Sequence, residues 1–246
     1  MSQIVKSEAI VLGKMNYRDS SVIVSLYTKD FGKLSLILKG ARSPKSKISN
    51  IVDPVNFINV VFYKKETREL QFLSSVDLIS YYPNIRNSLD GMKYSLAILE
   101  LIQKLVPEYE QNNRMFNGLT RIFSLLDSYD ELPLILFSRF FMFFLTEIGY
   151  ELQLDSCSIC AKDITGTSDV VYNFNQGLIC SECAENYPDS FYVKKELFRY
   201  LICLKYKKKV SLSDPETGES AIRLMEKFLR YHHQDFKGIQ SLKIYN

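Results

Sequence analysis

Short β-rich runs in the first eighty residues, helical periodicity after Tyr82-Pro83 and two Cys-x-x-Cys pairs predict an α+β protein. The expected architecture is an N-terminal OB-fold β-barrel, residues 1–80, followed by an α-helical domain, residues 83–246. The helical domain is expected to carry a four-cysteine zinc ribbon or knuckle module inserted at about 154–187.

The barrel rests on five runs rich in Val, Ile, Phe and Tyr: Ala9–Leu12, Ser21–Tyr27, Gly32–Lys39, Val55–Tyr63 and Leu70–Leu73. Turn-forming segments, Asn16–Asp19, Lys29–Gly32 and Lys65–Arg68, separate them. Strands at this spacing without helical periodicity suit a small closed sheet.

Beyond Pro83, Ile85, Leu89, Met92, Leu96, Leu99 and Leu105 recur mostly every three or four residues, as do Phe116, Leu119, Ile122 and Leu126. Such stripes predict amphipathic helices. Leu132–Ile148 is apolar nearly all round, but Arg139 and Glu147 interrupt it, so a buried helix opened by Pro133 and ended by Gly149 is expected rather than a membrane span. Two further helices are expected near Lys194–Lys208 and Glu219–His232, with the His232-His233 pair at a helix C-terminus.

Cys157 and Cys160 form one pair and Cys180 and Cys183 the other, with nineteen residues between the pairs. Each Cys-x-x-Cys knuckle turns two sulfurs toward one point, and two knuckles complete a tetrahedron. One structural Zn2+ per chain is the expected cofactor, since four thiolates leave no open coordination position. Val170–Phe174 followed by Asn175-Gln176-Gly177 reads as the hairpin arm of a zinc ribbon, and Cys203, in an apolar run, reads as a buried free thiol.

The net charge of +3 conceals a pattern. Residues 1–80 hold 12 Lys/Arg against 7 Asp/Glu, 81–193 hold 7 against 15, and 194–246 hold 12 against 6. Two basic ends around an acidic middle suggest a polyanion partner. The basic loop Lys39–Lys47, with Lys39, Arg42, Lys45 and Lys47, could track phosphates while Tyr17, Tyr27, Phe31, Phe57 or Tyr63 stack bases. The sequence contains no glycine-rich phosphate loop, nucleophile elbow or metalloprotease pair, and it reads as a non-enzyme. Its N-terminus lacks a signal-peptide pattern, so a cytoplasmic location is expected.

The opening strand Glu8–Leu12, Tyr17 and Asp19, Leu26-Tyr27-Thr28, Phe31-Gly32-Lys33, Lys39-Gly40-Ala41-Arg42 and Lys45-Ser46 occur in an order that continues with Ile148-Gly149-Tyr150, Leu154-Asp155 and the cysteine pairs. In these residues the chain resembles the bacterial RecO family of DNA-repair recombination mediators. The resemblance implies an OB-fold, a helical domain with an inserted zinc module, binding to single- and double-stranded DNA, and annealing of complementary strands. It also implies partnership with RecR and single-stranded-DNA-binding protein in loading the RecA recombinase, and a nucleoid-associated location, with no membrane and no small-molecule substrate. The candidate DNA contacts are then Lys33, Lys39, Arg42, Lys45 and Lys47, with Lys207, Lys208 and Lys209 as a second basic run. Some members of the family lack the zinc cysteines, which implies support of the fold rather than of the activity. Two other functions fit the same sequence: a zinc-containing protein–protein adaptor with no direct DNA role, and a zinc-ribbon transcription or translation factor.

Overall fold

The structure is a computed structural model that describes residues 3–43, 48–65, 67–68, 70–128, 130–164, 170–209 and 214–244. It divides into two compact units, residues 1–133 with 239–246, and residues 134–238.

Five strands, β1 (Gln3–Tyr17), β2 (Ser21–Thr28), β3 (Gly32–Leu38), β4 (Phe57–Lys64) and β5 (Leu70–Ser80), close into a barrel of order β1-β2-β3-β5-β4. Closure depends on the length of β1, whose first half pairs with β4 and whose second half pairs with β2, and on a three-residue parallel ladder between β3 and β5. Period-2 alternation turns Val22, Val24 and Leu26, Leu34, Leu36 and Leu38, and Ile58, Val60 and Phe62 into the core. The single-turn α1 (Ile48–Ile51) and the Val52 that follows it pack Ile51 and Val52 against this core. Full burial of a side chain of this size contributes about 1.5–3 kcal/mol.

Three helices, α2 (Pro83–Asn87), α3 (Leu89–Leu105) and α4 (Asn113–Ser128), belong to the same unit as the barrel. The change in periodicity at Pro83 is therefore not the place where the compact units part. Ser88 caps α3 by accepting the Gly91 amide at 3.0 Å, and Asp127 of α4 caps α2 by accepting the Asn84 and Ile85 amides at 2.8 and 3.1 Å. Phe116 of α4 stacks on Tyr27 and meets Phe57 edge-on, with centroids 6.5 and 6.3 Å apart, which joins helix to barrel. The α3–α4 connection lies on the β2–β3 turn: Tyr109 N–H donates to the Lys33 carbonyl at 2.8 Å, and a Cβ on Gly32 would stand 2.2 Å from the Glu110 carbonyl oxygen. With φ at +64°, that position admits glycine on two separate grounds. The C-terminal turn Gln240–Leu242 returns to α3, where buried Glu100 accepts the Gln240 and Ser241 amides at 2.8 and 2.7 Å and the Ser241 hydroxyl at 2.7 Å.

The second unit contains α5 (Pro133–Glu147, from Leu134 on), the cysteine module and two later helices, α7 (Lys195–Lys205) and α8 (Pro215–His232). Ten of the residues of α5 are buried, on nearly every side of the helix, as its composition predicts. The module is a three-stranded sheet of order β7-β6-β8, from β6 (Val170–Asn173), β7 (Gly177–Cys180) and β8 (Phe191–Val193), with the short α6 (Ser181–Ala184) after β7. No helix among the described residues is long and apolar enough to cross a membrane.

Candidate metal centre and nucleic-acid interface

The candidate metal centre is built by two local turns. In the first, Cys157 N–H donates to the Lys162 carbonyl at 2.8 Å and Ala161 N–H to the Cys157 carbonyl at 2.9 Å, and Ala161 takes φ of 60° to complete the knuckle. The second follows from the β6–β7 hairpin: Cys180 ends β7 and caps α6, one turn before Cys183. Ser158 locks the knuckles together, its amide and its hydroxyl both donating to the Leu178 carbonyl at 2.8 and 3.0 Å. A Lys162–Glu182 ion pair at 2.6 Å joins them again at the surface.

The result brings the four Sγ atoms of Cys157, Cys160, Cys180 and Cys183 within 4.8 Å of one another. Four sulfurs held about 2.3 Å from a central ion would be separated by about 3.8 Å along each edge of the tetrahedron. The Cys160–Cys180 separation is 3.8 Å. Cys180 N–H donates to Cys157 Sγ at 3.3 Å. Burial opposes ionisation of Cys157, but the amides of Cys160, Cys180 and Ile159 prevail and bring its pKa down to about 6. Cys183 is pushed up to about 12, first by its side-chain hydrogen bond with Cys180 and then by desolvation, with repulsion from the Cys160 sulfur adding to both. A cation at the centre removes that repulsion, so the four residues together can hold a metal ion.

Sequence reasoning missed the clamp beside this centre. Asp155 accepts from Lys205 Nζ at 2.8 Å and from the Tyr206 hydroxyl, and these hydrogen bonds, that from Lys205 foremost, hold its carboxyl below the usual range. Lys205 also lies 3.4 Å from the Glu151 carboxylate and so ties the segment leading into the first knuckle to the end of α7. Cys203, expected to be buried, is half-buried on α7.

The predicted DNA contacts fall into three groups. Lys33 is occupied within the fold: its ammonium donates to the Gln103 carbonyl at 2.7 Å, and burial draws its pKa down against the pull of Glu108. Lys39 and Arg42 are exposed. The Lys39 ammonium lies 4.7 Å from the centre of the Phe72 ring, and Arg42 donates to the Arg18 carbonyl at 3.1 Å, against the β1–β2 turn. Lys45 and Lys47 lie outside the described residues. Lys207, Lys208 and Lys209 are exposed after α7, with Lys208 5.7 Å from the Tyr206 ring.

The aromatic set also needs correction. Tyr27 is fully buried, Phe57 packs on Phe116, and Phe31 meets the core residue Phe62 edge-on at 5.5 Å. Tyr63 is exposed, and half-buried Tyr17 carries the Arg18 guanidinium 5.1 Å from its ring. Sequence reasoning passed over Phe72 and Arg68. The Arg68 guanidinium lies 5.0 Å from the Phe72 ring, in a β4–β5 turn that buried Gln71 holds shut by donating to the Lys65 and Arg68 carbonyls at 3.0 and 2.5 Å and accepting the Lys65 amide at 2.9 Å. Lys39 and Arg68 thus meet over one ring of a β-barrel whose strand order is that of an OB-fold.

Two family models match the chain, "Recombination protein O N terminal" over residues 1–82 and "Recombination protein O C terminal" over residues 86–238. Among curated relatives, the DNA repair protein RecO of Chlorobium limicola is 32% identical over 68% of this chain, a match spanning 64% of its own length, a little under two thirds. That of Syntrophus aciditrophicus is 32% identical over 72% of this chain and 69% of the relative. That of Caldanaerobacter subterraneus is 28% identical over 95% of both. Matched over both halves, with its barrel, helices and cysteine cluster in one order, the chain belongs to the recombination protein O family, the RecO proteins of DNA repair.

Proposed function

We propose that this chain is a DNA-binding recombination mediator of DNA repair that makes and breaks no covalent bond. It binds single- and double-stranded DNA, anneals complementary strands and, with RecR and single-stranded-DNA-binding protein, helps load the RecA recombinase. Family membership supports the role in repair and recombination. The observation that carries DNA binding is the corner of the barrel where Lys39 and Arg68 converge on Phe72.

Two strands approaching each other repel through their phosphates, and cations that neutralise those phosphates lower the cost of pairing. The four-cysteine centre takes one structural Zn2+ held by Cys157, Cys160, Cys180 and Cys183, which cross-links the two knuckles and, with no open position, does no chemistry on a substrate.

The test is a titration of the full chain with labelled single-stranded and duplex oligonucleotides at several salt concentrations, combined with a fluorescence-transfer annealing assay. Binding that weakens steeply with salt and annealing faster than the spontaneous rate are expected. No binding at low salt would favour the adaptor reading instead.

A further inference from the structure

The four cysteines of the cluster are alike in spacing but not in surroundings. Cys157 and Cys180 are buried, at 1% and 5% exposure, whereas Cys160 is exposed and Cys183 is half-buried. Each knuckle therefore has one cysteine shut away and one open to water. The two buried cysteines differ again. Cys157 Sγ accepts hydrogen bonds from the amides of Cys160, Cys180 and Ile159, and such donors stabilise the charge on a sulfur and lower its nucleophilicity. Cys180 Sγ stands 3.8 Å from Cys160 Sγ, on the opposite knuckle.

The module also has a core that does not depend on sulfur. The rings of Tyr172, Phe174 and Phe191 form a triangle with centroids 5.4, 5.6 and 5.5 Å apart. Phe174, in the β6–β7 turn, stacks on Tyr231 of α8 at 5.5 Å, and its neighbour Asn175 accepts from the Tyr231 hydroxyl. With the Ser158–Leu178 hydrogen bonds and the Lys162–Glu182 ion pair, these contacts hold hairpin and knuckles in place while a sulfur changes its chemical state.

We propose that the cluster is an oxidative modification site for hydrogen peroxide, with Cys160 the sulfur oxidised first and Cys180 the sulfur that resolves it into a disulfide between the knuckles. The proposal rests on the zinc reading above for the release of metal, though not for the choice of sulfurs. The Cys160 thiolate, open to solvent, attacks one peroxide oxygen: the O–O bond breaks, an S–O bond forms, and hydroxide leaves a sulfenic acid behind. The Cys180 thiolate then attacks the Cys160 sulfur from the buried side. An S–S bond forms, the S–O bond breaks, and a second hydroxide departs toward water. The two sulfurs lose two electrons, and one peroxide, with two protons, becomes two waters. A disulfide sulfur is no longer a thiolate ligand, so two of the four metal ligands are spent and the site lets its ion go. Because the new bond runs from one knuckle to the other, it keeps the cross-link that the metal supplied, and reduction restores the site.

The test uses the full chain, purified reduced, both as the parent and as Cys203→Ser, in which the cluster holds the only thiols. A small molar excess of hydrogen peroxide should release about one zinc per chain into a coloured chelator. Maleimide blocking followed by peptide mapping should find Cys160 joined to Cys180, with Cys157 and Cys183 blocked, in both proteins. Far-ultraviolet circular dichroism should be unchanged, and dithiothreitol with added zinc should restore full occupancy. Zinc retained under peroxide, a disulfide within one knuckle, oxidation confined to Cys203, or sulfinic acid that dithiothreitol does not reverse would each overturn the proposal. Fresh reduced protein without zinc would sink the metal reading and the release with it, and the peptide map would then uphold or overturn the Cys160–Cys180 pair by itself.

Discussion

Replacing Lys39 and Arg68 together by Gln should flatten the salt dependence of single-strand binding, whereas Lys33→Gln should lower stability and leave that dependence unchanged. The difference follows from where the three cations sit. Lys39 and Arg68 lie against the Phe72 ring, a contact worth about 0.5–1 kcal/mol at an exposed site and readily exchanged for a phosphate. Each phosphate contact contributes about 0.7 to the slope of log K against log salt on a single strand, so losing two removes about 1.4. Between about 50 and 200 mM salt, the parent should then lose about sevenfold more affinity than the double variant. The Lys33 ammonium is committed to the Gln103 carbonyl at 2.7 Å, and removing that charged donor should cost about 1 kcal/mol of stability. Anisotropy titrations at four salt concentrations give the slopes, and urea unfolding gives the stabilities. A Lys33→Gln slope as flat as that of the double variant, or a double variant with the parent's slope, would refute this division between fold and interface.

Three further outcomes are expected. Zinc should copurify at about one per chain and be lost with Cys157→Ser but retained with Cys203→Ser, as metal analysis and thermal melts can check, because structural zinc binding is coupled to folding. Glu100→Gln should cost about 1–2 kcal/mol at neutral pH. Although burial opposes its ionisation, the hydrogen bonds from Lys104, Ser241 and Gln240 hold the folded pKa below the ordinary 4.5; this stabilisation is complete above that value and is lost as the pH falls through the folded pKa, so parent and variant should converge in acid unfolding, and a gap as wide in acid as at neutrality would refute the account. Replacing Lys207, Lys208 and Lys209 by Gln should reduce the salt slope on duplex by about 0.9 for each phosphate contact they make, and an unchanged slope would assign the run to a solvated turn.

Much of the fold was legible because its signals are local. Period-2 runs marked the strands, and Cys-x-x-Cys spacing marked the four cysteines that the fold gathers into one cluster. Strand ends were less so: β5 continues to Ser80 past Leu73, because Ser74 and Ser75 interrupt the apolar run where the ladder shifts register, and a break of that kind reads as a turn. The third strand of the module, Phe191–Val193, is only three residues long and is held by pairing with β6, a partner about twenty residues away that no local pattern reveals. The Asp155–Lys205 clamp is likewise a long-range pair.

The interface residues show why reading a face is not the same as reading its exposure. Alternation along β2 and β4 puts Tyr27, Phe57 and Tyr63 on the outward side of the barrel, and that along β5 puts Phe72 there too. Parity alone makes all four candidates for base stacking. Phe116, eighty-nine residues after Tyr27, then covers Tyr27 and Phe57, leaving Tyr63 and Phe72 outside. The cations divide in the same way: Lys33 and Lys39 stand six residues apart on and just beyond β3, and one is drawn into the fold by the carbonyl at the end of α3 while the other, itself exposed, lies over the half-buried Phe72 ring. Which outward side chains remain for a partner is decided by where α3 and α4 come to rest, and that placement is a tertiary fact with no signature in the strands themselves.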